Sequence, residues 1–251
     1  MTHWLSHYLE KIQSRDDFPL FLIIPCSVIL FFRQLGSKPL FMWDESLRAN
    51  AVMQMVNNDH WAILFRNSPT EIGPTPFLGK PPLNHWLQAI SVQVFDNIEF
   101  AVRVPSALAA VLCTIVVYSL AQEVYNRRTA VAASLVFLVI PPVSVGKHSG
   151  RSGDIDMLLL LFGSLFILLL LRYGGETKTL YYISFAGALA VFTKGFNAGI
   201  FLLVALPVII QKRDIIFNRH SLISATASLG IVAVWFLAVY TQYPGVTGLI
   251  I

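Results

Sequence analysis

The sequence predicts an all-α polytopic membrane protein, and three observations carry that expectation. Hydrophobic residues fill 55% of the 251 positions and charged residues only 13%, against roughly a quarter charged in soluble domains. Mean hydropathy is +0.65. Apolar runs recur along the chain at the length a spanning helix needs, about 20 residues or somewhat fewer where flanking side chains snorkel. The net charge of +4 fits a protein at a membrane surface and gives no reason to invoke nucleic acid.

Residues 1–17 are polar, and the apolar run Phe18–Phe32 lacks a small-residue cleavage site, so residues 18–36 are expected to be a retained first span. Further spans are expected at 104–121, 129–146, 155–172, 180–194, 196–211 and 221–241, making about seven transmembrane helices, six of them in a bundle over 104–251. The fourth is the cleanest, since Met157–Leu171 carries no charge. The fifth and sixth are short and separated only by Lys194-Gly195-Phe196-Asn197, so a hairpin that does not fully cross is an alternative. Cys26 and Cys113 fall inside apolar runs and read as small buried hydrophobes rather than as a disulfide or metal site.

Orientation follows from the basic residues of the short loops. With the N-terminus in the cytoplasm, the inner loops hold Arg127, Arg128, Arg172, Lys178, Lys212, Arg213 and Arg219. The outer short loops hold Lys147, Arg151 and Lys194. The smaller basic content belongs outside, so the N-terminus is expected inside a plasma (inner) membrane and the long loop 37–103 outside.

That loop carries two expected helices lying along the membrane surface. One runs from about Trp43 to Asn57 with an apolar stripe at Leu47, Ala51 and Met55. The other starts at Pro81-Pro82 and continues through Leu83, Leu87 and Ile90, with Trp61 and Trp86 as interfacial anchors. The Pro/Gly cluster Asn67–Pro76 reads as irregular loop.

The ionisable residues of the loops are the candidates for chemistry. Asp44 and Glu45 follow the first span, beside Met42 and Trp43. An acidic pair there serves a helix dipole, or a partly desolvated carboxylate with a raised pKa serves as general base. Arg48 lies four residues beyond Asp44, placed either to pair with it or to bind a phosphate beside it. Lys80 precedes two prolines that suit a helix start, and helix N-termini attract anions. His85 and Trp86 read first as packing residues. In the loop Gly146–Asp156, Asp156 abuts an apolar helix, where an acid is costly unless paired, hydrated or functional, whereas Asp154 is expected to face solvent. Lys194 either snorkels to headgroups or joins a site. In the expected topology Asp44, Lys80, Arg151, Asp156 and Lys194 share one membrane face, where carboxylates can activate a hydroxyl and cations can hold a departing phosphate.

These motifs resemble the GT-C membrane glycosyltransferases of the protein mannosyltransferase and aminoarabinose transferase superfamily. The resemblance rests on Trp43-Asp44-Glu45, Lys80-Pro81-Pro82-Leu83 with Trp86, Ala101-Val102-Arg103-Val104-Pro105-Ser106-Ala107, Arg151 with Asp156, and Thr193-Lys194-Gly195. It implies a polyprenyl-phosphate sugar as donor and a hydroxyl of a protein, lipid or glycan as acceptor, with transfer by inversion at the outer face of the bilayer. By the same resemblance Asp44 is the expected catalytic base and Asp156 a second catalytic carboxylate that helps position acceptor or base. Lys80 is expected to hold the donor phosphate, with Arg48 and Lys194 assisting. Glu45, Arg151, His85 and Trp86 are supporting residues, and Arg103 is expected to be structural.

The resemblance leaves a divalent metal open, but no metal ligand is assigned, because Gly79 stands where many relatives carry an acidic residue sometimes associated with metal binding. Family members have more spans than this sequence, so it reads as an N-terminal part or as a short form acting with a partner. A non-catalytic membrane subunit is therefore the main alternative. A transporter is less favoured, since the ionisable residues gather at one end of the spans rather than at the midplane.

Overall fold

A computed structural model describes residues 19–67, 74–77 and 80–243. The expected tail 1–17 and Gly79 lie outside the described residues. The first helix, α1 (Leu20–Phe32), is apolar and buries Ile23, Ser27 and Phe31 against the bundle. Its other side exposes Phe21, Leu22, Ile29 and Cys26, which corrects the expectation that both cysteines are buried; only Cys113 is. A helix at the edge of a bundle has one face turned away from protein, and Cys26 falls on it.

The chain then turns through Trp43, whose φ of 74° is uncommon for a bulky side chain, into α2 (Asp44–Asn58). Two short strands follow, β1 (Phe65–Asn67) and β2 (Pro74–Pro76), paired antiparallel with Phe65 opposite Pro76 and Asn67 opposite Pro74. The expected irregular loop is thus a small hairpin over its described residues. Prolines at both ends of β2 lack the N–H that would extend the ladder, which keeps it short. Phe77 N donates to Leu64 O at 2.7 Å, continuing the pairing past the strands, and Asn67 N donates to Asn50 Oδ1 at 2.8 Å, tying the hairpin to α2.

Helix α3 (Leu83–Val94) leads into α4 (Ile98–Val124), capped where Asn97 Oδ1 accepts from Phe100 N at 2.7 Å. Helix α4 is the hub of the molecule. Its small residues Ala107, Ala110, Cys113 and Thr114 are buried and admit close helix neighbours, as in membrane bundles generally. Around it stand α1, α3, α5 (Arg127–Val139) and α7 (Asp156–Arg172), with the one-turn α6 (Pro141–Ser144) between the last two. Gly150 makes the fit possible: a Cβ there would lie 2.4 Å from Ala110 Cβ and 3.0 Å from the Phe31 ring.

Helix α8 (Thr177–Lys194) ends at Gly195, where φ is 60°, and a 3-10 turn (Gly195–Ala198) leads into α9 (Gly199–Gln211). The chain reverses at this turn, and both arms run alongside α7. At one end Lys194 meets Asp156 at the start of α7. At the other, Lys212 Nζ donates to the carbonyls of Leu171 at 2.6 Å and Tyr173 at 2.7 Å. Helix α10 (Arg213–Ile216) and α11 (Arg219–Gln242) complete the described chain, with Trp235 Nε1 donating to Ala62 O at 2.8 Å. A helix thus lies on each of the seven segments expected to span. Among the described residues, three stretches are long and apolar enough to cross a membrane: Ile98–Val124, Thr177–Gln211 and Arg219–Gln242.

Candidate active site

Two buried ion pairs at one end of the bundle organise the candidate residues. In the first, Glu45 is 2% exposed and points inward from the start of α2. Arg103 Nε donates to Glu45 Oε1 at 2.8 Å and Nη2 to Oε2 at 2.9 Å. The remaining guanidinium protons go to the carbonyls of Leu35 at 2.9 Å, Lys38 at 2.8 Å and Pro39 at 2.9 Å. All five donors of the Arg fork are therefore used. Glu45 also accepts from Phe41 N at 2.7 Å and Gly153 N at 2.6 Å. One pair thus fastens the exit of α1, the start of α2, α4 and the loop before α7. Gly153 is required at this point, since a Cβ would sit 2.5 Å from Val102 Cγ1 and 3.2 Å from both Gln88 Nε2 and Glu45 Cγ. The structural role expected for Arg103 is what the geometry gives it.

In the second pair Arg48 Nη2 lies 2.8 Å from Asp154 Oδ1 and 3.7 Å from Asp44 Oδ1. Asp154, expected to face solvent, is 2% exposed. Arg48 is buried on the helix face turned toward this loop and needs a counter-charge, and Ser106 Oγ holds the Asp154 carbonyl at 2.9 Å. Ile155 N donates to Asp154 Oδ1 at 2.6 Å, while Oδ2 faces His148 Nδ1. Arg48 therefore favours Asp154 over Asp44, four residues before it. Its Nε and Nη1 are buried without partners among the described residues.

Asp44 opens α2 with its side chain 54% exposed, beside Met42 and Trp43, which are exposed as well. The expected desolvation of Asp44 is not found. Asp156 opens α7, is 28% exposed, pairs with Lys194, and lies 3.3 Å from His148 Nδ1. Lys194 thus has a carboxylate partner rather than headgroups alone. Lys80 is half-buried just before α3 and makes no hydrogen bond or ion pair among the described residues.

Arg151 turns away from the acids and donates to the carbonyls of Leu30 and, at 2.6 Å, Arg33, closing the C-terminal end of α1. Burial lowers its pKa, with Arg103 and Arg33 adding to the effect. His85 is fully buried and its pKa is pushed down to about 3, first by burial and then by the Arg48 charge. The Pro81 carbonyl offsets part of this without meeting hydrogen-bond geometry at either ring nitrogen. Trp86, expected as an interfacial anchor, turns inward instead: Nε1 donates to Trp61 O at 2.7 Å and the ring meets Phe192 edge-on at 5.3 Å.

The residue that sequence reasoning passed over is His148. It sits in a Gly/Ser-rich loop between two apolar helices, and the only sequence signal was a histidine six residues before a carboxylate.

Asp44, His148 and Asp154 bring one possible metal-ligand atom each within 4.8 Å of one another. They do not fit a divalent cation. Asp154 Oδ1 is already bound by the Arg48 guanidinium and Ile155 N, and its Oδ2 by His148. A second cation would meet Arg48 at contact distance.

Residues 79–239 match the family model of dolichyl-phosphate-mannose-protein mannosyltransferase. The undecaprenyl phosphate-alpha-4-amino-4-deoxy-L-arabinose arabinosyl transferase of Aeromonas salmonicida is 29% identical over 236 residues, covering 88% of this chain and 41% of that protein. The enzyme of the same description from Shewanella sediminis is 29% identical over 219 residues, 84% of this chain and 36% of its own. The crystal structure of ArnT from Cupriavidus metallidurans bound to undecaprenyl phosphate superposes with a TM-score of 0.75 at 21% identity, over 90% of this chain and 42% of that one. This chain therefore spans about two fifths of the length of the relatives it matches. A family match over most of the chain, joined to this shared fold, makes it a member of the dolichyl-phosphate-mannose-protein mannosyltransferase family of membrane glycosyltransferases.

Proposed function

We propose that this chain forms the part of a glycosyltransferase that moves a sugar from a polyprenyl-phosphate donor to an acceptor hydroxyl, with inversion, at the outer face of the inner membrane. The observation that carries the reading is Asp44. Its carboxylate is exposed, while the residue beside it, Glu45, is locked in a fully satisfied buried pair. A carboxylate held open on a rigid mount is suited to take the proton of an acceptor hydroxyl. Asp156 is read as a second acid that orients the acceptor. Lys80, without a partner among the described residues, is read as the cation for the donor phosphate, whose charge grows as the bond to the sugar breaks. Arg48, with two unpaired nitrogens, and Lys194 lend further positive charge. In this reading the seven helices span the bilayer, the N-terminus is cytoplasmic, and residues 37–103 lie outside with α2 and α3 along the surface. The matched relatives are described as undecaprenyl-phosphate sugar transferases, which supports this donor class.

The test is transfer of labelled sugar from a polyprenyl phosphate in membranes carrying the chain. Asp44→Asn is expected to lower turnover by about 10²–10⁴-fold with unchanged membrane abundance. Near-normal turnover would remove Asp44 as the base. Lys80→Ala should raise the donor KM, and an unchanged donor dependence takes Lys80 out of the site. A second reading, a donor-binding subunit acting with a partner chain, is favoured by the coverage of about two fifths of the relatives. Donor binding by the purified chain without transfer would select it.

A further inference from the structure

The end of α1 and the loop before α7 enclose a groove of about 550 Å³, lined by Cys26, Ile29, Leu30, Arg33, Gln34 and Arg151. Cys26 and Arg33 stand two helical turns apart, about 10 Å along α1. Over that length the lining changes character. Cys26 and Ile29 are apolar and face outward, whereas Arg33, Gln34 and Arg151 gather where the helix ends. Gln34, with a φ of 54°, turns the chain away at this point and keeps its amide exposed. The groove is therefore amphiphilic, with a cationic head and an apolar floor.

The charge at the head has no counter-ion within the chain. The Arg33 side chain makes no hydrogen bond or ion pair among the described residues. Arg151 is held in place by the carbonyls of Leu30 and Arg33, forms no ion pair among the described residues, and keeps donors to spare. Arg33 and Arg103 both stand close enough to disfavour its charge. Arg103 is already neutralised by Glu45, which leaves Arg33 and Arg151 as two like charges in one groove. The C-terminal dipole of α1 offsets only about half a charge. Like charges gathered at a membrane boundary are costly unless an anion lies between them.

We propose that this groove binds an anionic phospholipid of the phosphatidylglycerol type. Its phosphate is held by Arg33 and Arg151, its glycerol hydroxyls face the Gln34 amide, and an acyl chain follows Ile29 and Cys26 along α1. Guanidinium groups match phosphate oxygens in geometry as well as charge. The apolar floor selects a lipid over a free phosphate, which makes no use of it. The uncompensated charge selects a net anionic lipid over phosphatidylethanolamine, whose ammonium brings a third cation. The bound lipid braces the exit of α1, next to the stretch whose carbonyls Arg103 holds at Leu35, Lys38 and Pro39. The site rests on the reading that α1 spans the bilayer; it does not depend on glycosyl transfer.

The test is native mass spectrometry of the full chain in detergent, exposed to an equimolar mixture of phosphatidylglycerol and phosphatidylethanolamine. The wild-type chain is expected to retain phosphatidylglycerol by about 10-fold over its competitor, the scale of one hydrogen bond to a charged group. Arg33→Lys keeps the charge and should keep most of that preference. Arg33→Glu sets an acid beside Arg151 and should abolish it; Arg33→Gln, which only removes the charge, gives the same reading should Arg33→Glu not fold. Phosphatidylglycerol should also raise the unfolding temperature of the wild type and leave that of Arg33→Glu unchanged. Equal retention of the two lipids by the wild type overturns the site, as does an undiminished preference in the Arg33→Glu or Arg33→Gln chain. Inorganic phosphate that protects as well as the lipid does also overturns it, since a plain anion site needs no apolar floor. Labelling of Cys26 in intact membranes by a membrane-impermeant maleimide overturns the spanning reading of α1 and the lipid site with it, an outcome separate from a lost lipid preference.

Discussion

Asp44 and Glu45 open α2, and Asp154 and Asp156 lead into α7; each pair divides its labour in the same way. One carboxylate of each pair, Glu45 or Asp154, is 2% exposed and bound to a buried arginine. The other, Asp44 or Asp156, reaches outward at 54% and 28% exposure. The buried members brace loops from distant parts of the chain, and the outward members are the ones to which the proposed function assigns chemistry. Two adjacent helical residues point about 100° apart, which alone separates Asp44 from Glu45. The comparison teaches that an acidic pair at a membrane boundary need not be two candidate catalysts. Here one of each pair is foundation.

The comparison is broken most severely at Glu45. Glu45→Gln leaves the Arg103 charge buried without a counter-ion and is expected to cost about 3–5 kcal/mol, read as loss of thermal stability in detergent. Asp44→Asn, one residue away, should leave stability within about 0.5 kcal/mol while abolishing transfer. Equal effects on stability would erase the distinction between the two positions.

A smaller loss is expected from acid. His85 is neutral in the folded protein, with its pKa near 3 against 6.5 for an ordinary histidine. Between those values the unfolded chain binds the extra proton, so stability is full above about pH 6.5 and falls as pH drops toward 3. The loss reaches about 3 kcal/mol by pH 4. His85→Phe keeps an aromatic edge against Phe77 and should flatten this part of the stability profile. A wild-type profile already flat from pH 7 to 4 would refute the buried neutral histidine.

Asp154→Asn keeps the shape but removes the charge facing Arg48, for which about 1.5–3 kcal/mol is expected. Asp44 at 3.7 Å remains as a weaker partner. Asp156→Asn, in the more open position, should cost less in the same melting experiment. Last, Gly153→Ala forces a methyl against Val102 and is expected to cost about 1–3 kcal/mol. A neutral result there would mean that the loop can back away from Glu45.

Much of the fold was legible because it rests on local pattern. The seven apolar runs each hold a helix, α2 and α3 start within a residue or two of where Trp43-Asp44 and Pro81-Pro82 place them, and the hairpin at Lys194–Asn197 is present. The β1–β2 hairpin was not legible, since three-residue strands ending in proline carry no periodicity. For the site, the sequence pointed to the right loops but not to the partners within them. Local sequence turns Asp154 toward solvent because nothing in it shows that Arg48, more than 100 positions earlier, turns inward toward it. Local sequence makes Trp86 an interfacial anchor because its ring partner, Phe192, is equally remote in sequence.

The amino-acid sequence by itself determined that this is a helical membrane protein, which loops carry its ionisable residues, and which family those residues resemble. Hydrophobic length, proline placement and short motifs are local properties and can be read one segment at a time. Only the tertiary structure decided which carboxylate of each pair is buried, that Arg103 spends all five donors on one junction, and that His148 meets Asp154 and Asp156. Those outcomes depend on which charges must be desolvated together when distant segments pack, and that cost is settled only by their meeting.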